Sequence, residues 1–95
     1  MLTTTGHLKT THASKYLQQL CKHFGHKIEV SFDENKGWAA FVMGTAHMTA
    51  EADRLMVTCD VEDEKAVEAV HHVIDSHLET FAFREEVKTM TWETT

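Results

Sequence analysis

Proline is absent from this 95-residue sequence, and glycine and cysteine are scarce, with four and two residues respectively. The two cysteines lie outside any CxxC motif, and a small secreted scaffold would normally carry more of them. The first residues show neither the basic nor the apolar segment of a secretory signal. No apolar run approaches the roughly 18 residues that a membrane-spanning helix needs. These absences favour one domain, spanning residues 1–95, that is cytoplasmic and has no membrane partner.

Basic side chains are also few, since nine Lys and Arg residues stand against 15 Asp and Glu residues, for a net charge of −6. Proteins that bind nucleic acids neutralise phosphates with clustered basic side chains. No such cluster occurs here, which argues against a nucleic-acid partner. Histidine is the abundant titratable residue: protonation of all eight would move the formal charge from −6 to +2. We therefore expect the domain to respond to mild acid.

Periodicity in the sequence predicts eight elements of secondary structure. Alternating apolar and polar side chains indicate six strands, over residues 2–9, 28–32, 38–43, 45–50, 54–61 and 86–92. Apolar side chains at helical spacing indicate two helices, over residues 12–24 and 63–80. The second helix has the clearest apolar stripe, formed by Val67, Val70, Ile74, Leu78 and Phe81.

Both predicted helices carry signals at their ends. The hydroxyls of Thr10 and Thr11 can accept from backbone N–H groups of the first turn, so one of them is expected to cap the first helix. Gly25 is expected to end that helix with a positive φ, which glycine adopts most easily. Asp63 is expected to cap the second helix.

The element order is β-α-β-β-β-β-α-β. It predicts an α+β two-layer sandwich, with a mainly antiparallel sheet and two helices on one face. Short turns join the four central strands, which should therefore form an antiparallel meander. The order resembles the TATA-binding-protein-like fold class, and in particular the C-terminal domain of phosphohexomutases. A resemblance of element order implies a fold and assigns no function.

Three local strings resemble those of one small bacterial family. They are Tyr16-Leu17-x-x-Leu20-Cys21-Lys22-His23-Phe24-x-His26-Lys27, then His77-Leu78-Glu79-x-Phe81-Ala82-Phe83-Arg84-Glu85, and the late Trp92. The family is a domain of unknown function, and related domains are appended to flavoproteins that interact with siderophores. The resemblance therefore implies a link to iron acquisition, and it assigns no catalytic residue. Its signature residues here are Cys21, His23, His26, Lys27, His77, Phe81, Phe83, Arg84 and Glu85.

Cys21, His23 and His26 are residue types that bind zinc, but their spacing argues against a shared site. On a helix Cys21 and His23 point about 200° apart, and the predicted helix end at Gly25 separates His23 from His26. A further ligand, such as His77 or His47, would have to come from elsewhere in the chain. We favour surface and packing roles and expect no bound metal. The alternative is a ligand- or metal-binding protein that uses His23, His26 and His77.

His77 lies within the apolar stripe of the second helix and has two interpretations. It is either a buried ligand or acid–base group, or a core histidine that is hydrogen-bonded to a backbone carbonyl, which we favour. Arg84 could bind a carboxylate or phosphate, although we favour pairing with Glu85, Glu86 or a carbonyl at the helix end. The sequence has no Gly-rich phosphate loop, GxSxG or HExxH motif. These observations predict a protein that is not an enzyme and needs no cofactor.

The third strand is apolar on both sides, so one side must point away from the helices. Either Trp38, Ala40 and Val42 or Ala39, Phe41 and Met43 would then lie on the outer face. We expect an interaction surface on this face, formed by Phe41, Met43, Met56, Met90 and Trp92. The predicted function is a non-catalytic accessory or binding domain. It would act through this surface, by forming a homodimer or by docking on a flavoprotein.

Overall fold

The computed structural model describes residues 1–81 and 90–95. Its elements follow the predicted order and are β1 (Leu2–Lys9), α1 (Ala13–Phe24), β2 (Val30–Phe32), β3 (Lys36–Phe41), β4 (Gly44–Ala50), β5 (Arg54–Val61), α2 (Glu64–Phe81) and β6 (Thr91–Thr94). The final strand was predicted over residues 86–92, and residues 86–89 of that range lie outside the described part. Neither helix in the described ranges is long and apolar enough to cross a membrane.

The six strands form one sheet in the order β2-β3-β4-β5-β1-β6, and every neighbouring pair is antiparallel. The predicted meander of four central strands is therefore confirmed. β1 lies between β5 and β6, so the earliest strand is in the interior of the sheet. On its inner side Thr4 is paired with Cys59 and Leu8 with Leu55. This pairing aligns the apolar sides of β1 and β5 under the helices.

Both helices pack against this inner face of the sheet. The buried side chains of α1 include Leu17, Leu20 and Phe24, which follow helical spacing. On α2 the predicted stripe is confirmed for the four members whose side chains are described, Val67, Val70, Ile74 and Leu78. Burial of these apolar stripes against one face of the sheet is the main source of hydrophobic stabilisation for a chain of this size. The predicted two-layer α+β architecture follows from this packing.

The N-terminal end of α1 differs from the prediction. His12 occupies the capping position, without a side-chain cap. Thr10 Oγ1 accepts a hydrogen bond at 3.0 Å from the N–H of His12, which is the residue just before the first residue of the helix. At the start of α2, by contrast, Asp63 Oδ1 accepts from the Ala66 N–H at 2.9 Å, so that cap is confirmed.

Gly25, at the C-terminal end of α1, has φ −60° and ψ −15° in place of the expected positive φ. The chain continues in right-handed turns, because the N–H groups of Lys27 and Ile28 both bond to the carbonyl of Phe24. The helical path therefore extends past Gly25. This geometry brings His23 and His26 to the same side, with ring centroids 6.4 Å apart.

The predicted outer surface is wrong for most of its residues. Phe41 contacts Phe24 of α1, with ring centroids 4.9 Å apart. Met90 is buried, and Met43 packs partly buried against the core. Trp92 donates its indole N–H to Asp75 of α2. The correction follows from the pairing of Ala39 with Ala46, which turns that side of β3, with Phe41, towards the helices.

The outer face of the sheet is instead rich in threonine. One cross-strand row runs through Ser31, Trp38, His47, Thr58, Thr5 and Glu93. Trp38 and Met56 are the bulky apolar residues of the described strands on this side, and both are half-buried. Homodimer formation and flavoprotein docking through this face stay predictions. The described strands do not present the broad apolar surface that suggested them.

Candidate functional site

A pocket opens where the end of α1, the turns after it, β3 and α2 meet. Its volume is about 210 Å³, and it is lined by His23, Phe24, Lys27, Ile28, Phe41, Val73 and His77. We call it the histidine pocket. Phe24 is buried and Phe41 is half-buried, and their edge-on contact forms one wall. The pocket is thus a mainly apolar depression with three basic side chains.

The histidine rings meet although they are far apart in the sequence. The ring centroids of His23 and His77 are 4.5 Å apart, with an angle of 59° between the ring planes. The His77 ring also lies 4.9 Å from the Phe24 ring. His23 therefore lies next to both His26 and His77, and ligand or metal binding by these three residues stays a prediction.

His77 has a defined tautomer. Its Nδ1 lies 2.6 Å from the Val73 carbonyl oxygen, which can only accept, so Nδ1 carries a proton. In the neutral ring the lone pair is then on Nε2. The hydrogen bond to a backbone carbonyl was predicted, but the half-buried ring forms part of a pocket wall, while the adjacent Leu78 is in the core.

Basic groups accumulate around His23. Partial loss of hydration lowers the pKa of His23, and the positive charges of His77, His26 and Lys27 lower it further. The described lining of the pocket thus brings His23, His77 and Lys27 together beside apolar side chains.

Cys21 does not join this cluster. Its side chain is buried, with Sγ 3.9 Å from the Met48 sulfur. Burial raises the pKa of its thiol to about 11, so the thiol is protonated at neutral pH. Across residues 1–81 and 90–95, no group of three or more His, Cys, Asp or Glu side chains is arranged to hold a metal ion. The remaining signature positions lie outside the described part of the chain. They are the Phe81 side chain and residues Phe83, Arg84 and Glu85.

The chain resembles a known protein family and a known structure. The model of a family described as an uncharacterised protein conserved in bacteria, DUF2218, matches residues 5–93. The chain belongs to this family. The NMR structure of PA4090 from Pseudomonas aeruginosa is similar to it, with a TM-score of 0.79 and 29% identity over 98% of this chain and 96% of that one. No curated protein matches the chain.

A second polar cluster in this DUF2218 domain was not predicted from the sequence. It lies between α2 and the last strand. The rings of His71 and Trp92 stack with centroids 4.1 Å apart and planes 19° apart. Asp75 accepts hydrogen bonds from the Trp92 indole N–H at 3.1 Å and from the Met90 backbone N–H at 3.0 Å. These contacts attach β6 to α2.

The same cluster also reaches the buried Thr4 of β1. His71 Nε2 lies 2.7 Å from Thr4 Oγ1, which accepts a hydrogen bond from the Thr94 hydroxyl at 3.1 Å. Trp92 packs over Gly6, where an added Cβ would come within 2.8 Å of the indole ring. The contacts join three elements through side chains that have no common motif, and they indicate a structural role for His71.

The stability of the domain is expected to fall in mild acid. Burial lowers the pKa of His71, although Asp75 and Glu68 act in the opposite direction, and the pKa of His23 is lowered too. Because these values lie below the ordinary histidine pKa of 6.5, the unfolded chain binds more protons there. The contribution to stability is therefore complete above pH 6.5 and is lost as the pH falls through the lowered values.

Urea unfolding at a series of pH values measures this effect. His71→Gln keeps an amide that can bond to Thr4 and removes the titrating ring, so the acid-induced loss should be smaller than in the wild type. His72→Gln replaces an exposed neighbour on the same helix and serves as the control. An unchanged pH dependence in His71→Gln would exclude His71 as a source of the acid sensitivity.

Proposed function

We propose that this DUF2218 domain is a non-catalytic binding domain whose ligand occupies the histidine pocket. One observation carries the proposal: His23 of α1 and His77 of α2 meet with ring centroids 4.5 Å apart at an apolar pocket. Ligand sites in proteins are typically concave and mainly apolar, with a few polar groups that fix orientation. The histidine pocket has this composition. Both histidines also belong to the signature that carries the family resemblance.

The composition of the pocket favours binding over catalysis. Among its described lining residues there is no Ser or Cys to act as a nucleophile. The Nδ1 proton of His77 is committed to the Val73 carbonyl. Two histidines and Lys27 can instead form hydrogen bonds and charge contacts with a bound molecule.

A fragment screen followed by protein-observed NMR tests the proposal. We expect binding compounds to shift the amide signals of residues 23–28, Phe41, Val73 and His77. Val73→Phe should abolish these shifts because the larger side chain fills part of a pocket of about 210 Å³. The matched control is Val42→Phe, at a turn residue that is fully exposed.

Unfolding curves of both variants establish that they are folded, and His23→Ala provides a second probe at an exposed position of the pocket. Shifts centred on Trp38 and the outer sheet face would contradict the proposal. So would binding that Val73→Phe and His23→Ala both leave unchanged. A role in iron or siderophore handling, and location in the cytoplasm, stay predictions that rest on the family resemblance and on the sequence.

A further inference from the structure

We propose that a cleft on the outer face of the sheet binds a neutral saccharide, whose ring stacks on Trp38. The cleft lies at the β2, β3 and β4 end of the sheet and has a volume of about 400 Å³. We call it the Trp38 cleft, and the side chains that carry its chemistry are Ser31, Asp33, Lys36, Trp38, His47 and Thr49. The histidine pocket lies on the other face, among the helices. Saccharide binding would therefore be a second activity, in addition to binding in the histidine pocket.

Strand pairing places an indole at the centre of the cleft. Trp38 of β3 lies between Ser31 of β2 and His47 of β4 in one cross-strand row. It is half-buried, so part of its ring surface is accessible to solvent. The face of an aromatic ring carries partial negative charge and attracts groups with partial positive charge. A pyranose ring presents C–H groups of that kind on its face, so the indole can stack against a sugar.

The turn between β2 and β3 places a carboxylate at the end of the cleft. Asp33 Oδ1 accepts hydrogen bonds from the backbone N–H groups of Asn35 at 2.7 Å and Lys36 at 2.8 Å. These bonds lower the pKa of Asp33, which is therefore charged at neutral pH. Because Oδ1 makes both bonds, Oδ2 is the oxygen that can accept from the hydroxyls of a ligand. Such bonds to a charged acceptor are stronger than those to a neutral one.

Other side chains of the cleft supply donors as well as acceptors. Ser31 and Thr49 have hydroxyls that can do both, and the imidazole of His47 has two ring nitrogens for the same purpose. Within the described part of the chain, these two hydroxyls and the Trp38 indole N–H take part in no hydrogen bond. Sugar hydroxyls likewise donate and accept, so this mixed set of polar groups around an indole is complementary to a saccharide.

The charge and lining of the cleft argue against other classes of ligand. Asp33 and Lys36 contribute one charge of each sign, so the cleft favours neither anions nor cations. Sites for apolar ligands are lined predominantly by hydrophobic side chains, whereas five of the nine residues lining this cleft are polar. Phe32 and Met48 also line it, but both pack into the core. Since a cavity of about 150 Å³ can hold benzene, a volume of about 400 Å³ has room for one or two sugar rings.

Three disaccharides that differ in the orientation of their hydroxyls test the proposal. Cellobiose, lactose and mannobiose are titrated into the full chain and followed by NMR. We expect at least one of them to bind with a Kd of about 1 mM and to shift the Trp38 indole N–H signal and the amide signals of Ser31 and His47. Sorbitol carries the hydroxyls of a sugar without its ring, so it should bind about tenfold more weakly because it cannot stack.

Variants of the cleft locate the binding. Trp38→Ala should weaken it by about tenfold, and Trp38→Phe by less, because a ring remains. Asp33→Asn should weaken it by about fivefold, since a neutral acceptor that can still hold the turn replaces a charged one. Glu93→Gln is the matched control, because it removes an exposed carboxylate at the far end of the same cross-strand row. Unfolding curves establish that each variant is folded.

Two results would overturn saccharide binding in the Trp38 cleft outright. The first is a lack of shifts there with all three disaccharides, or equal binding of sorbitol. The second is binding that the folded Asp33→Asn and Trp38→Phe variants both leave unchanged. Disaccharide shifts centred on the histidine pocket would also overturn it, and they would support the proposed function instead. Fragments test the histidine pocket and disaccharides test the Trp38 cleft, so either site can fail without the other.

Discussion

Replacement of Leu78 by alanine is expected to lower the free energy of unfolding by about 2–5 kcal/mol. Leu78 is completely buried, and it lies one turn after Ile74 on the inner face of α2. The substitution removes apolar contacts and leaves a cavity that the packed core can only partly close. Domains of this kind have a total stability of about 5–15 kcal/mol. The variant should therefore be close to the limit of folding.

Urea unfolding followed by circular dichroism measures this loss. Glu79→Ala, at the next and exposed position of the same helix, is the matched control and should change stability by less than about 0.5 kcal/mol. A loss of less than about 1 kcal/mol in Leu78→Ala would show that this side of α2 does not face the core.

Replacement of Asp75 by alanine should have the second largest effect, with a loss of about 2–4 kcal/mol. The carboxylate of Asp75 accepts from the Met90 backbone N–H and from the Trp92 indole N–H. Hydrogen bonds to charged groups contribute about 1.5–3 kcal/mol, and donors that lose their acceptor in a partly buried site add to the loss. The substitution should therefore loosen β6 from α2.

A double-mutant cycle isolates the contact between Asp75 and Trp92. Trp92→Phe removes the indole N–H and keeps a ring next to His71. If the contact stabilises the fold, the double variant should lose less stability than the two single variants together. Strictly additive losses would mean that this hydrogen bond contributes nothing to stability.

Much of the fold could be predicted from local patterns. β5 has the predicted bounds, and the described part of the α2 stripe is buried as expected. Both elements have one apolar and one polar side, so the period of the pattern shows which side faces the core. The same reasoning gave the order of all eight elements.

The outer face could not be predicted because β3 is apolar on both sides. Trp38 and Ala40 alternate with Ala39 and Phe41, so a period of two fits either orientation. The orientation is determined by pairing with β4, which aligns Ala39 with Ala46. Such pairing depends on contacts between strands and leaves no signal within the strand itself. The contacts that attach β6 to Asp75 likewise leave no signal in the sequence of β6 itself.

The histidine pocket could not be predicted from local sequence patterns either. The strings containing His23 and His77 were identified, but their positions are 54 residues apart, and only the packing of α1 against α2 brings the rings together. The expected break at Gly25 also separated His23 from His26, because glycine after a helix commonly has positive φ. Gly25 instead keeps a right-handed conformation, and the next turns continue the helical path.

The interior position of β1 has a consequence for how the protein is made. Its partners are β5, which begins 45 residues after Lys9, and β6, where Thr94 lies 90 residues beyond Thr4. At 5–20 residues per second, translation from Lys9 to Arg54 takes roughly 2–9 s. During this interval both edges of β1 lack their native partners. Among the six strands of the sheet, β1 is therefore synthesised first and is among the last to be enclosed, and nascent-chain binding factors can contact it during this interval.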